Sequence, residues 1–172
     1  MSTLSPSPSN QSRRPRTAVV IVASTRAAAG EYADRSGPLA VDFLRSQGFD
    51  TPVPIVVADA DIDSAVADAF ARTPRPRVII TSGGTGITPD DRTVDVVAPY
   101  IDRELPGLTY ALWQRGLQSV PTAVVSRAVA GIAGDTFVMT LPGSTGGVKD
   151  GCAVLGDVLT HIVDMLEGSH GH

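Results

Sequence analysis

Short apolar runs alternate with amphipathic stretches along most of the chain. Thr17–Ala23 (TAVVIVA) is almost wholly apolar and rich in β-branched residues, the pattern of a strand covered on both faces. A helix is predicted from Ser36 to Gln47, with Pro38 just inside its start, Leu39, Phe43 and Leu44 on one face, and Gly48 as its stop. Val53–Val57 reads as a second strand. Asp61 is then expected to cap a helix in which Ile62, Ala65, Val66, Ala69 and Phe70 recur at helical spacing. Val78–Thr81 is a third strand, followed by the loop Ser82–Asp91 (SGGTGITPDD) and a helix starting near Thr93. Pro99 and Pro106 interrupt the next stretch, and Leu108–Leu117 is helical again. Ala128–Ile132 and Thr136–Leu141 flank Gly134-Asp135, a dipeptide suited to a two-residue hairpin turn. Leu141 runs into the loop Pro142–Gly147. A closing helix then carries Val154, Leu155, Val158, Leu159, Ile162, Val163 and Leu166 as one wide stripe.

Strands alternating with helices predict an α/β domain: a mostly parallel sheet with helices on both faces, to which the hairpin adds one antiparallel strand. In such sheets ligands collect beyond the carboxyl ends of the strands. Ser24-Thr25, Asp59, Gly83–Asp91 and Pro142–Gly147 each follow a predicted strand, so these distant segments are expected to meet along one edge.

Composition narrows the classes of function. The 172 residues suffice for one domain with a real core, and 42% hydrophobic with 19% charged residues is a globular balance. The Ser- and Pro-rich start, residues 1–16, reads as a disordered tail; 17–167 forms the domain and 168–172 a flexible end. A net charge of -4 and the absence of a dense basic run beyond Arg13–Arg16 argue against a nucleic-acid partner. No apolar run reaches the length of a bilayer span. Arg13-Arg14 ahead of Ala18–Ala23 imitates a twin-arginine export signal, but the apolar stretch is too short and lacks a cleavage site, which favours a cytoplasmic protein. Cys152 is the single cysteine, so no internal disulfide can form.

Two loops carry the candidate chemistry. Gly83-Gly84-Thr85-Gly86 can bring backbone N–H groups close to an anion, with a helix start behind it and a threonine hydroxyl as a further donor; a plain tight turn explains the same residues. It is neither a P-loop nor the dinucleotide fingerprint. Asp90-Asp91 beside it could hold Mg²⁺, which prefers carboxylate and phosphate oxygens, or could cap the helix near Thr93. Asp59 admits the same two readings at its own strand end. Pro142–Asp150 (PGSTGGVKD) is a second glycine-rich loop, in which Lys149 is either a phosphate partner or, by preference, a solvated side chain. Cys152 and His161 read as packing residues. Trp113, Tyr110 and Leu117 read as core or subunit contact.

These segments together resemble a known family. TSGGTGITPDDRT (Thr81–Thr93), SRAVAGI (Ser126–Ile132), LPGS (Leu141–Ser144), Gly30-Glu31-Tyr32, Asp34-Arg35-Ser36-Gly37 and Glu104-Leu105-Pro106-Gly107 are similar to the MogA/MoaB molybdopterin-binding family, which includes the gephyrin G domain. The resemblance implies a three-layer α/β/α fold, a homotrimer, and a role in molybdenum cofactor synthesis: transfer of AMP from ATP to the terminal phosphate of molybdopterin, with Mg²⁺. It implies that Ser24, Gly83, Gly84, Thr85, Gly86, Pro142, Gly143 and Ser144 bind substrate, that Asp59 and Asp91 serve turnover and the metal, and that the molybdate-insertion protein is a partner. The alternative is a MoaB-like protein that holds the pterin without adenylylating it. Three positions depart from the family pattern: Asp90 where arginine is frequent, Thr145 where proline is common, and Asp150 where glutamate is usual.

Overall fold

The computed structural model describes residues 14–168. Six strands form one sheet: β1 Ala18–Ala23, β2 Ile55–Val57, β3 Val78–Ser82, β4 Arg103–Glu104, β5 Ala130–Ala133 and β6 Thr136–Leu141, in the order β2-β1-β3-β6-β5-β4. β2, β1, β3 and β6 run parallel, and β5 runs antiparallel to both its neighbours. The helices are α1 Thr25–Ala28, α2 Ser36–Ser46, α3 Ile62–Ala71, α4 Thr93–Val97, α5 Pro106–Leu117, α6 Thr145–Gly156 and α7 Leu159–Leu166.

The apolar run of β1 explains the layering. Alternate side chains leave opposite faces of a strand. Ala18, Val20 and Val22 enter a core shared with α2, α5, α6 and α7, whereas Val19, Ile21 and Ala23 enter a second core under α3 and α4. β6 divides in the same way, with Phe137, Met139 and Leu141 on the first side and Val138 on the second. The sheet is thus the middle of three layers, as expected.

Local rules account for most boundaries. α2 ends in a Schellman motif: the Gly48 N–H donates to the Arg45 carbonyl, the Phe49 N–H donates to the Leu44 carbonyl, Gly48 has φ +88, and Phe49 is buried beside Leu44. The hairpin turn is Gly134-Asp135, with φ +63 at the glycine.

Several expectations are corrected. Val53 lies outside β2 and is exposed, because Pro52 and Pro54 flank it and cannot donate to a ladder. Asp61 stands at the start of α3 but makes no capping bond. α2 does begin at Ser36, as expected; Arg35 before it makes no capping bond, and the Asp34 Oδ1 instead accepts from the Ser36 and Gly37 N–H groups and the Ser36 hydroxyl. The closing helix is two helices, broken between Gly156 and Leu159. β4 is an addition that the hydrophobic pattern does not predict. Of the expected tails, residues 1–13 and 169–172 lie outside the described residues; Arg16 is held by Asp164 and Glu167.

The chain crosses from β1 to β2 on one side and returns past β1 to β3 on the other. The connections therefore diverge between β1 and β3, and the crevice beyond those two strand ends is where an open α/β sheet presents its ligand site.

Candidate functional site

At that divergence an open cleft of about 1130 Å³ is bounded by the ends of β1 and β3, the loop leading into α2, and the start of α4. Its floor is the Gly83–Gly86 turn. Gly83 and Gly84 both have positive φ, at +92 and +70. A Cβ on Gly83 would overlap the Ala23 carbonyl oxygen, and one on Gly84 would overlap the Thr93 hydroxyl. Only glycine allows this approach of chain to chain.

The polar groups of the turn are directed unequally. Gly83 N–H donates to the Leu141 carbonyl at 3.0 Å, the Gly84 carbonyl accepts from Thr93 N–H at 3.1 Å, and the Thr85 carbonyl accepts from Arg127 N–H at 2.8 Å. The Arg127 guanidinium donates to the Gly86 carbonyl at 2.8 Å and to the Asp91 carbonyl at 2.7 Å, and also pairs with Asp95. The carbonyls are thereby turned away and held. The N–H groups of Gly84 and Thr85, both buried residues, find no acceptor among the described residues. Backbone donors of buried residues are rarely left so, and these two residues line the cleft, from which an anion can reach them.

Four aspartates line the cleft, Asp34, Asp59, Asp90 and Asp91, and two of them are each fixed by a threonine. Asp91 Oδ2 accepts from the Thr88 hydroxyl at 2.7 Å and the Thr88 N–H at 3.0 Å. The Thr88 hydroxyl bond, opposed by partial desolvation and helped by neighbouring amides and the Arg127 charge, holds this carboxyl below its ordinary range. Asp59 Oδ2 accepts from the Thr25 hydroxyl at 2.7 Å and the Thr25 N–H at 3.1 Å. Each of these two aspartates is therefore fixed through one oxygen by a threonine, leaving its other oxygen without a hydrogen bond among the described residues. No cluster of three or more His, Cys, Asp or Glu able to hold a metal occurs among them.

Ser24, Asp59, Gly83, Gly84, Thr85, Gly86, Asp91 and Gly143 all line this cleft. Pro142 and Ser144 do not. The loop after β6 is a partition: Gly143 and Thr145 face the cleft, while Pro142, Ser144, Gly146 and Gly147 line a separate hollow of about 470 Å³ with Trp113 and Lys149. Ser144 is the N-cap of α6, accepting from Gly147 N–H at 3.0 Å. Thr85 is buried, and its hydroxyl oxygen accepts from Ser126 at 3.1 Å. Ser24 caps α1 and shares a 2.8 Å hydroxyl–hydroxyl bond with Tyr32.

Sequence reasoning missed Tyr32, Arg35 and Arg92 on the cleft wall and Arg127 behind the floor. Only the family-like motifs, which contain all four of these residues, could have flagged them. Cys152 is half-buried against the core and its thiol is pushed up to about 11 by burial, so it is a poor nucleophile at neutral pH. His161 is exposed on α7 rather than packed.

A family model described as a probable molybdopterin binding domain matches residues 19–161. The chain belongs to that family. Among the family's solved members it is similar to the molybdopterin biosynthesis Mog protein from Mycobacterium ulcerans, at 45% identity and a TM-score of 0.81 over 88% of this chain and 99% of that one. It is 34% identical to the molybdopterin adenylyltransferase of Pyrococcus furiosus, over 84% of this chain and 87% of that protein. It is 36% identical to a molybdenum cofactor biosynthesis bifunctional protein of Chlorobaculum tepidum, over 92% of this chain and 50% of that protein. The chain thus spans about half the length of the bifunctional relatives it matches. Among the described residues no helix is long and apolar enough to cross a membrane.

Proposed function

We propose that this protein acts in molybdenum cofactor synthesis, binding molybdopterin and transferring AMP from ATP to its terminal phosphate. The observation that carries this reading is the pair of N–H groups of Gly84 and Thr85, without an acceptor among the described residues, in a cleft that also holds Asp59 and Asp91. A phosphate oxygen of the pterin attacks the α-phosphorus of ATP, a new P–O–P bond forms, and pyrophosphate leaves. Two polyanions must be aligned and neutralised, so the protein contributes mainly position and charge. The two amides take phosphate oxygens. Gly83, Gly143 and Ser24 bound the space in which the phosphates lie. No covalent nucleophile is needed.

The two aspartates fit Mg²⁺: both are oxygen donors at one cleft, each with an oxygen left over, and phosphates and water would complete the shell of that hard ion. Bound there, Mg²⁺ would supply charge neutralisation of the phosphates. Asp91, held in its anionic form well into mild acid, suits the role.

The relative named as a molybdopterin adenylyltransferase supports this reading. A homotrimer is part of it, supported by the exposed apolar side chains of Tyr110, Leu117, Val120, Val124 and Val125 along α5 and the turn after it. So are a cytoplasmic location and contact with the molybdate-insertion protein, both from the resemblance. A second reading, a pterin-binding protein without adenylylation, is favoured by one observation: Asp90 adds a further carboxylate facing the same polyanions. Mass spectrometry of the pterin after incubation with ATP and Mg²⁺ separates the two. Gain of an adenylyl group supports the first, and recovery of bound but unaltered pterin supports the second.

A further inference from the structure

The cleft that is to receive phosphates carries three arginines on its walls, Arg26, Arg35 and Arg92. Two are already neutralised. Arg26 pairs with Glu31 at 2.8 Å and lies over the Tyr32 ring at 5.3 Å. Arg92 pairs with Asp63 at 2.8 Å and reaches the Ala60 carbonyl. Arg127, behind the floor, is taken up by Asp95 and two carbonyls. Arg35 alone of these has no ion pair and no side-chain hydrogen bond among the described residues, and it is exposed.

Its backbone, by contrast, is tightly held. On one side Asp34 accepts three hydrogen bonds from Ser36 and Gly37. On the other, the Ser36 hydroxyl bonds Ser82 at 3.1 Å, at the end of β3 where the glycine turn begins. Gly37 packs so closely on Asp34 and Pro54 that a Cβ would not fit. Arg35 is therefore a free cation on a rigid elbow joined to the floor of the cleft. The amides at this start of α2 are occupied by Asp34, so any anion drawn here is held by the Arg35 side chain and not by the helix end.

We propose that Arg35 is the principal phosphate-binding cation of the cleft, gripping the phosphate oxygens of a substrate with its guanidinium fork. This rests on the reading of the cleft as a phosphate-transfer site. The chemistry is the same whether the phosphate belongs to ATP or to the pterin. Asp59, Asp90 and Asp91 make the cleft acidic without it, and an uncompensated guanidinium offsets that field for an entering polyanion. Because the Arg35 side chain has no partner to lose, its removal should not disturb the fold.

The test is equilibrium binding of Mg²⁺–ATP, of inorganic tripolyphosphate and of molybdopterin to the full chain, the Arg35→Gln variant and the Arg35→Lys variant. Arg103→Gln, on the exposed edge strand β4, is the charge-matched control, and melting curves verify folding. Losing one charge-assisted contact should weaken binding by about tenfold or more in Arg35→Gln, with Arg35→Lys between the two and Arg103→Gln unchanged. Weakening confined to ATP and tripolyphosphate assigns Arg35 to the nucleotide, and weakening confined to molybdopterin assigns it to the pterin phosphate. The double variant Arg35→Gln/Asp90→Arg should regain part of the lost affinity by restoring a cation to the same cleft. Equal affinities in Arg35→Gln and the parent for all three ligands overturn the proposal. Arg35-dependent binding without pyrophosphate release would leave Arg35 its role and reject adenylyl transfer, while a parent that binds none of the three rejects both.

Discussion

Arg127 holds Asp91 by its backbone: the guanidinium donates to the Asp91 carbonyl at 2.7 Å, and the Arg127 charge also favours the ionised carboxyl. One residue thus sets both where the carboxylate stands and how readily it stays charged. The same guanidinium grips Gly86, so the floor and the acidic wall of the cleft share one support.

Replacing Arg127 with Met is therefore expected to cost about 1–2 kcal/mol in urea unfolding, because partly buried carbonyls lose their donor, and to weaken phosphate binding together with it. Asp95→Asn, which breaks only the exposed ion pair on the far side of Arg127, is expected to leave stability nearly unchanged. Equal losses in the two variants would show that the ion pair, and not the grip on the loop, matters.

Asp91 also gives a pH signature. Its folded pKa lies below the ordinary value of 3.8, so its share of stability is fully present above that value and is lost as pH falls through and below it. Asp91→Asn is expected to show a flatter decline than the parent in unfolding curves measured through that acid range, with the two curves converging at the lowest pH. Parallel curves would mean that the carboxyl is not held as described.

The glycines separate into two kinds. Gly84→Ala must place a Cβ against the Thr93 hydroxyl at φ +70, and a loss of at least about 1–2 kcal/mol is expected from the backbone term alone. Gly146, in the first turn of α6, has open space around its Cβ position, so Gly146→Ala is expected to raise stability by about 0.5–1 kcal/mol. Thermal melts of the two variants should move in opposite directions.

Cys152 should be silent. With its thiol pushed up to about 11 by burial, alkylation by iodoacetamide near pH 8 is expected to be slow in the native protein and fast in denaturant. Fast native alkylation would contradict its assignment to the core.

Much of this arrangement is legible in the sequence. The apolar runs of β1, β3 and β6 declare strands buried on both faces, and the strand-end rule brings Ser24, Asp59, Gly83 and Asp91 to one cleft. The features that stay hidden have local physical causes. β4 is two charged residues, Arg103 and Glu104, with no apolar pattern to betray it. The break after α6 falls inside an unbroken apolar stripe, because α6 and α7 both pack on the same core. Pro142 and Ser144 are grouped with Gly143 by sequence, but neighbouring residues of an extended loop face opposite ways, and the sequence does not say which face is the cleft. Arg35 is one arginine among many until the partners of the others are known.

The most direct measurement is pyrophosphate release from purified protein mixed with molybdopterin, ATP and Mg²⁺, with Asp91→Asn alongside. Release by the parent, and its loss by at least about a hundredfold in a folded Asp91→Asn that still binds the pterin, is the expected result for a charge-aligning carboxylate. Bound pterin with no pyrophosphate from the parent, or equal release from both proteins, would contradict adenylyl transfer at this cleft.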